Sequence, residues 1–223
     1  MVRRVCERLE RVYGRPRLGN PADPVDDLVF VILSNRTSPV ACERAFATLK
    51  SAFPSWEMLL SAPEGVLEAL LQPAGLSRVK SRQIRESLQR IRADFGTCDL
   101  ESLQGRSCDL ISNYLTALPG VSDKVAKCVM LYTLNCAVLP VDTHVHRIAL
   151  RLGWIVEKRA DQSHASLELL IPPQRRLAFH VDCVAHGRAM CTSRKPLCSA
   201  CCVARHCVYY EQAATGTPGS GVW

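Results

Sequence analysis

Four cysteines near the C-terminal end, Cys191, Cys198, Cys201 and Cys207, follow the spacing C-x6-C-x2-C-x5-C within seventeen residues. Thiolates this close together form a complete soft-ligand set, suited to an iron–sulfur cluster or a structural zinc, and the spacing leaves both open. The residues between them include Arg194, Lys195 and Arg205 but no Asp or Glu. Such a loop presents only positive charge, as a grip on a polyanion would. A second reactive group is Lys124, which follows Leu118-Pro-Gly-Val-Ser-Asp and falls in the first turn of the next helical pattern. The helix dipole disfavours an ammonium there, and a neutral amine is what a nucleophile requires. Lys127, one turn along, is a competing candidate that reads better as a solvated face residue. The third group is Asp142, eighteen residues after Lys124 in Val141-Asp-Thr-His. Its simplest role is to cap a helix beginning near Thr143.

The elements that must hold these groups are helical. Apolar residues recur at helical spacing over 40–53, 55–60, 64–71, 81–95, 113–118, 124–134, 143–152, 165–170 and 175–188, and 26–33 is an apolar run. In 81–95 the stripe is Ile84, Leu88, Ile91 and Phe95, with Arg82, Arg85, Arg90 and Arg92 elsewhere, the pattern of an amphipathic helix. No convincing alternating strand is present, so the expected fold class is all-α. Between 113–118 and 124–134 the link Pro119-Gly120 is short enough only for a tight hairpin. Gly120 admits positive φ and leaves backbone N–H groups uncovered, and N–H groups at a helix start can hold a phosphate. Taken alone, that turn is also an ordinary helix–helix connection.

The 223 residues carry 28 Lys plus Arg against 21 Asp plus Glu, a formal charge of +7. The first seventeen residues hold six arginines (Arg3, Arg4, Arg8, Arg11, Arg15, Arg17) against Glu7 and Glu10. Two basic ends suit a nucleic-acid-facing surface. No stretch approaches a membrane span, and the N-terminus lacks the pattern of a signal peptide. The expected setting is therefore the reducing cytosol, where clustered cysteines bind metal. Cys6, Cys42, Cys98, Cys108, Cys128 and Cys136 show no paired spacing and read as free thiols. The histidines are scattered, so no His-based metal site is expected.

L-P-G-V-x-x-K, then V-D-T-H-V-x-R, then C-x6-C-x2-C-x5-C, in that order and spacing, resembles the endonuclease III family of helix-hairpin-helix DNA glycosylases. The resemblance covers about residues 5 to 210. It implies two all-α lobes with a DNA cleft between: a six-helix barrel with the hairpin at 23–136, and a cluster-bearing lobe from 1–22 and 137–211. The Gly/Ser-rich tail, 212–223, is expected to be disordered. The resemblance further implies that Lys124 is the nucleophile, Asp142 its carboxylate partner, and the four cysteines the ligands of a [4Fe–4S] cluster. The implied activity is a bifunctional DNA glycosylase and AP lyase that removes oxidised pyrimidines by base flipping and cleaves the strand by β-elimination. Its partner would be double-stranded DNA carrying damaged bases or AP sites. The protein would act as a monomer, nucleoid-associated in a bacterial cytoplasm.

Further residues are assigned on the same resemblance. Gly120 and Ser122 would hold phosphate at the hairpin, with Ser122 standing where a second glycine is usual. Arg36 stands where bacterial relatives carry the Gln that fills the gap left by the flipped base, and Pro39 replaces a familiar Asp. Leu76, in Ala74-Gly-Leu-Ser-Arg-Val-Lys80, would wedge into the base stack, with Arg78 and Lys80 near phosphate. Arg194 and Lys195 would face the DNA backbone, while Cys183 and Cys202 are bystanders. These departures bear on base preference, so adenine, oxoguanine or 5-methylcytosine are alternative targets. A weakly active or non-catalytic DNA-binding paralogue is the alternative of a different class.

Overall fold

The computed structural model describes residues 1–215, and every regular element among them is helical. None of these helices is long and apolar enough to cross a membrane. The chain divides into two compact units, one of residues 19–136 and one of 1–18 with 137–223.

In the 19–136 unit the helices are α2 (Pro24–Ser34), α3 (Pro39–Ala52), α4 (Trp56–Ser61), α5 (Val66–Leu71), α6 (Ser77–Phe95), α7 (Cys108–Thr116) and α8 (Asp123–Tyr132). The apolar run makes α2 the central rod: Leu28 through Leu33 are all buried, and α3, α6 and α8 pack around it. Asp23 starts α2, its Oδ1 accepting from the N–H groups of Val25 and Asp26. On α6 the stripe Ile84, Leu88 and Ile91 is fully buried, each side chain adding about 1.5–3 kcal/mol. This helix starts at Ser77 instead of 81, because Leu76 takes a left-handed conformation and turns the chain into it. Likewise α7 starts at Cys108, five residues before the apolar pattern, because Ser107 caps it.

Cys108 and Cys136 correct the expectation of free thiols: they form a disulfide with their Cα atoms 5.8 Å apart. Linear spacing hides this pairing. The hairpin folds α7 against α8, so two residues separated by 28 positions meet at its open end. Closing a loop of that length removes about 3–4 kcal/mol of unfolded-chain entropy.

The other unit holds α1 (Val2–Tyr13), α9 (Thr143–Arg151), α10 (His164–Leu170), α11 (Arg176–Ala189) and α12 (Val208–Thr215). Both α1 and α9 pack on α11 around Val5, Leu9, Val145, Ile148, Phe179 and Cys183. Gly187 permits the approach of α9 to α11, since a Cβ there would lie 2.4 Å from His144 Nδ1. Residues 212–215 of the expected disordered tail continue α12, and the remainder, from 216, lies outside the described residues.

Candidate functional site

Lys124 is the second residue of α8, half-buried, directly after the hairpin. The turn closes with the Val121 N–H donating to Leu118 O at 3.1 Å, and Gly120 takes φ 74. Ser87 of α6 fixes it by donating to Pro119 O at 3.0 Å. Gly120 has a second requirement besides its backbone angle: an added Cβ would lie 2.4 Å from the Gln83 side chain of α6. Ser122 is exposed and starts α8, its Oγ accepting from the Val125 N–H. The turn therefore places Gly120 and Ser122 at the surface and Lys124 just inside it.

Arg36 and Leu76 sit on two further tips of the same unit. Each is exposed and left-handed, at φ 54 and φ 52, a costly conformation for residues with a Cβ that recurs where loops do work. Lys80 departs from its expected place near phosphate. Only 2% of it is exposed, and its Nζ donates to Leu33 O at 2.8 Å, to Ala74 O at 3.4 Å and to Thr37 Oγ1. Thr37 itself donates to Ala74 O at 3.0 Å. A buried ammonium must find acceptors, and those within reach are the backbone at the roots of both tips. Lys80 therefore ties the Arg36 tip to the Leu76 tip and is out of reach of a DNA backbone.

In the 1–18/137–223 unit, Asp142 caps α9, its Oδ1 accepting from the N–H groups of His144 (2.9 Å) and Val145 (2.8 Å). That anchoring fixes the carboxylate at a helix start, where the dipole favours an anion. Further along, Cys191, Cys198, Cys201 and Cys207 all line one partly open hollow, with Arg151 and Tyr209 in its wall. Among the described residues no three His, Cys, Asp or Glu side chains converge on a point where one ion would sit. Burial raises the Cys198 and Cys207 thiols and pushes Cys201 up to about 11, with neighbouring sulfurs adding to each effect. Arg194 and Lys195 are exposed at the loop's outer edge.

Several supporting groups escaped the sequence reading. Arg151, 4% exposed, donates to Cys191 Sγ (3.1 Å), Thr192 O (2.8 Å) and Ser193 O (3.0 Å) and lies over the Tyr209 ring. Arg147 donates to Cys191 O at 2.9 Å. His186 joins Tyr13, at 2.9 Å from its hydroxyl, to Cys201 Sγ at 3.6 Å. Burial lowers His186 to about 4, so its ring is neutral.

Residues 29–173 match the family model described as HhH-GPD superfamily base excision DNA repair protein. Endonuclease III of Thermotoga maritima is 31% identical over 207 residues, 93% of each chain. A protein of Arabidopsis thaliana provisionally named a DNA glycosylase is 34% identical over 173 residues; these are 77% of this chain and 59% of the plant protein's length. Two solved structures of endonuclease III on DNA, one a non-covalent complex and one a trapped covalent intermediate, superpose with TM-score 0.83. Each is 22% identical, with 96% of this chain and 97% of theirs covered; at that identity the likeness concerns the fold. With the family match spanning well over half of its residues, the chain belongs to the HhH-GPD superfamily of base excision DNA repair proteins, in its endonuclease III family.

Proposed function

We propose that this base-excision-repair DNA glycosylase is bifunctional, removing an oxidised pyrimidine through Lys124 and then cleaving the strand as an AP lyase. The observation that carries the reading is an amine held half-buried in the first turn of α8, immediately behind the glycine hairpin. The trapped covalent intermediate known for a protein of this fold supports it.

The chemistry would run as follows. The Nζ lone pair bonds to C1′ of the flipped nucleotide while the C1′–base bond breaks, its electron pair leaving with the base, which takes up a proton. The nitrogen then loses a proton, and the C1′–O4′ bond opens with O4′ protonated, leaving a cationic imine. That cation acidifies C2′. Loss of the C2′ proton and expulsion of the 3′ phosphate give an unsaturated imine, which water hydrolyses to free Lys124. Asp142, pinned by two backbone N–H groups, would stabilise the sugar cation and take part in the proton transfers.

Arg36 and Leu76 would fill the space left in the duplex, and Gly120, Ser122, Arg194 and Lys195 would hold phosphates. Cys191, Cys198, Cys201 and Cys207 would bind a [4Fe–4S] cluster, whose contribution when bound is to order the loop that carries Arg194 and Lys195. The all-thiolate donor set gathered at one hollow fits such a cluster.

Borohydride added during reaction with abasic duplex DNA should trap a covalent adduct in the wild-type chain and none in Lys124→Ala. Equal trapping by that variant would sink the assignment. Duplexes carrying an oxidised pyrimidine, oxoguanine, 5-methylcytosine or mispaired adenine would rank base preference in the same assay.

A further inference from the structure

Asp142 ends a segment, 137–142, that forms neither helix nor strand, yet its Leu139, Pro140 and Val141 are buried. Buried backbone without regular structure must find partners for its polar groups elsewhere. Here side chains of α10 and α11 supply them. Arg176 donates to Ala137 O and, at 2.6 Å, to Glu168 O. Glu168 Oε1 accepts from the Leu139 N–H at 2.8 Å, and His164 Nδ1 lies 3.2 Å from Leu139 O. Pro140, two residues before Asp142, has no N–H to offer; its carbonyl lies 3.0 Å from His180 Nδ1. A carbonyl oxygen only accepts, so Nδ1 carries the hydrogen on both rings.

We propose that His180 is a positioning residue for the reaction, fixing through Pro140 O the place from which the Asp142 carboxylate acts. The inference rests on the reading of Asp142 as the carboxylate partner of the nucleophile. His180 touches no reacting atom and transfers no proton. It is 3% exposed on α11, where a leucine would fill the core without the cost of desolvating an imidazole. The same helix packs along α9, which Asp142 starts by accepting from the His144 and Val145 N–H groups. Asp142 is thus held from two directions: its carboxylate by the α9 N–H groups, and the chain leading to it by His180. All of these residues belong to the 1–18/137–223 unit.

A carboxylate that stabilises a developing sugar cation works by being in place before the charge appears, and a misplacement of about 1 Å costs on the order of a hundredfold in rate. The α9 cap alone does not prevent such a shift, because the start of α9 can move together with Asp142. A bond from a different helix to Pro140 O does prevent it. Arg176, Glu168 and His164 act on Ala137 and Leu139, further back along the segment. His180 acts nearest to Asp142 and carries the positioning.

The test is single-turnover strand cleavage of a preformed abasic duplex by the full-length, metal-loaded chain, with enzyme concentration varied to separate the limiting rate from DNA affinity. His180→Leu should slow the limiting rate about tenfold and leave the half-saturating concentration unchanged. Two polar variants locate the working nitrogen, since the Asn amide nitrogen stands where Nδ1 stands and the Gln one where Nε2 stands. His180→Asn should recover most of the rate, and His180→Gln should stay near His180→Leu. Asp142→Asn keeps the cap, because Asn starts helices as well as Asp does, and should itself slow the limiting rate. Adding His180→Leu to it should slow the rate no further, since both changes remove the same action. A further loss of about tenfold in that double variant, a wild-type rate in folded His180→Leu, or equal rates in the Asn and Gln variants would overturn the role of His180 and leave Asp142 standing. A wild-type rate in Asp142→Asn would overturn both. Melting temperature shows whether each variant is folded; if His180→Leu is not, the Asn and Gln pair decides alone.

Discussion

Both units of the chain fasten a loop with a buried cation, and they do so to different degrees of completion. In the 19–136 unit, Lys80 reaches Leu33 O, Ala74 O and Thr37 Oγ1, and the tips bearing Arg36 and Leu76 are tied together by protein atoms alone. In the other unit, Arg151 holds Thr192 O and Ser193 O and contacts Cys191 Sγ. There the cation grips one end of a loop whose remaining turns pass through Cys198, Cys201 and Cys207 around a hollow. A compact ammonium satisfies a point where carbonyls converge, while a planar guanidinium spans successive carbonyls of an extended segment. The first fastening is finished by folding. On the proposed reading a cluster completes the second, so loop order should depend on the metal in one unit and be independent of it in the other.

The largest effect should come from removing the centre. Cys198→Ser combined with Cys201→Ser should abolish iron binding and make 191–207 the preferred site of limited proteolysis, while 19–136 stays uncut. Structural metal sites supply on the order of 10 kcal/mol of ordering energy, far more than Arg151 can replace through two carbonyls and a sulfur. If the double variant keeps its loop protected without iron, the contrast between the fastenings fails.

Lys80→Met strikes the finished fastening. The methionine fills much of the space but strands Leu33 O and leaves Ala74 O only its bond from Thr37 Oγ1, for a loss of about 2–4 kcal/mol in urea unfolding. Because the two tips are left-handed at Arg36 and Leu76, losing the tie should also let them relax. A fluorescent base analogue beside the lesion would then report weaker base opening, while iron content stays at the wild-type level. Unchanged unfolding and base opening would mean that backbone packing alone holds the tips.

What was legible in the sequence was local. The hairpin before Lys124, the cap at Asp142 and the cysteine spacing each lie within a few residues, where turn geometry, helix starts and ligand reach leave their mark on residue type. The all-α fold was legible from periodicity, yet α6 and α7 began earlier than their apolar stripes because Leu76 and Ser107 set the starts. The fastenings were illegible. Lys80 meets Leu33 across 47 residues and Arg151 meets Thr192 across 41, and a buried cation is written like an exposed one. The family resemblance places Lys80 near phosphate, and its burial against Leu33 O removes it from there. The Cys108–Cys136 bond hid for the same reason: its partners become neighbours only after the hairpin has closed.

The smallest effect concerns what the cysteine loop carries. Arg194 and Lys195 are exposed, take no part in the contacts of Arg151, and should act only through phosphate charge. Arg194→Gln with Lys195→Gln should leave melting temperature and iron content at wild-type values. Affinity for undamaged and abasic duplexes should fall alike, because phosphates carry no base information. The slope of log affinity against log salt should shrink by about 1.8, at about 0.9 per phosphate contact released. A slope unchanged by the double substitution would make the loop a structural element without a DNA contact. A loss confined to damaged DNA would instead place one of the two cations near the reacting nucleotide.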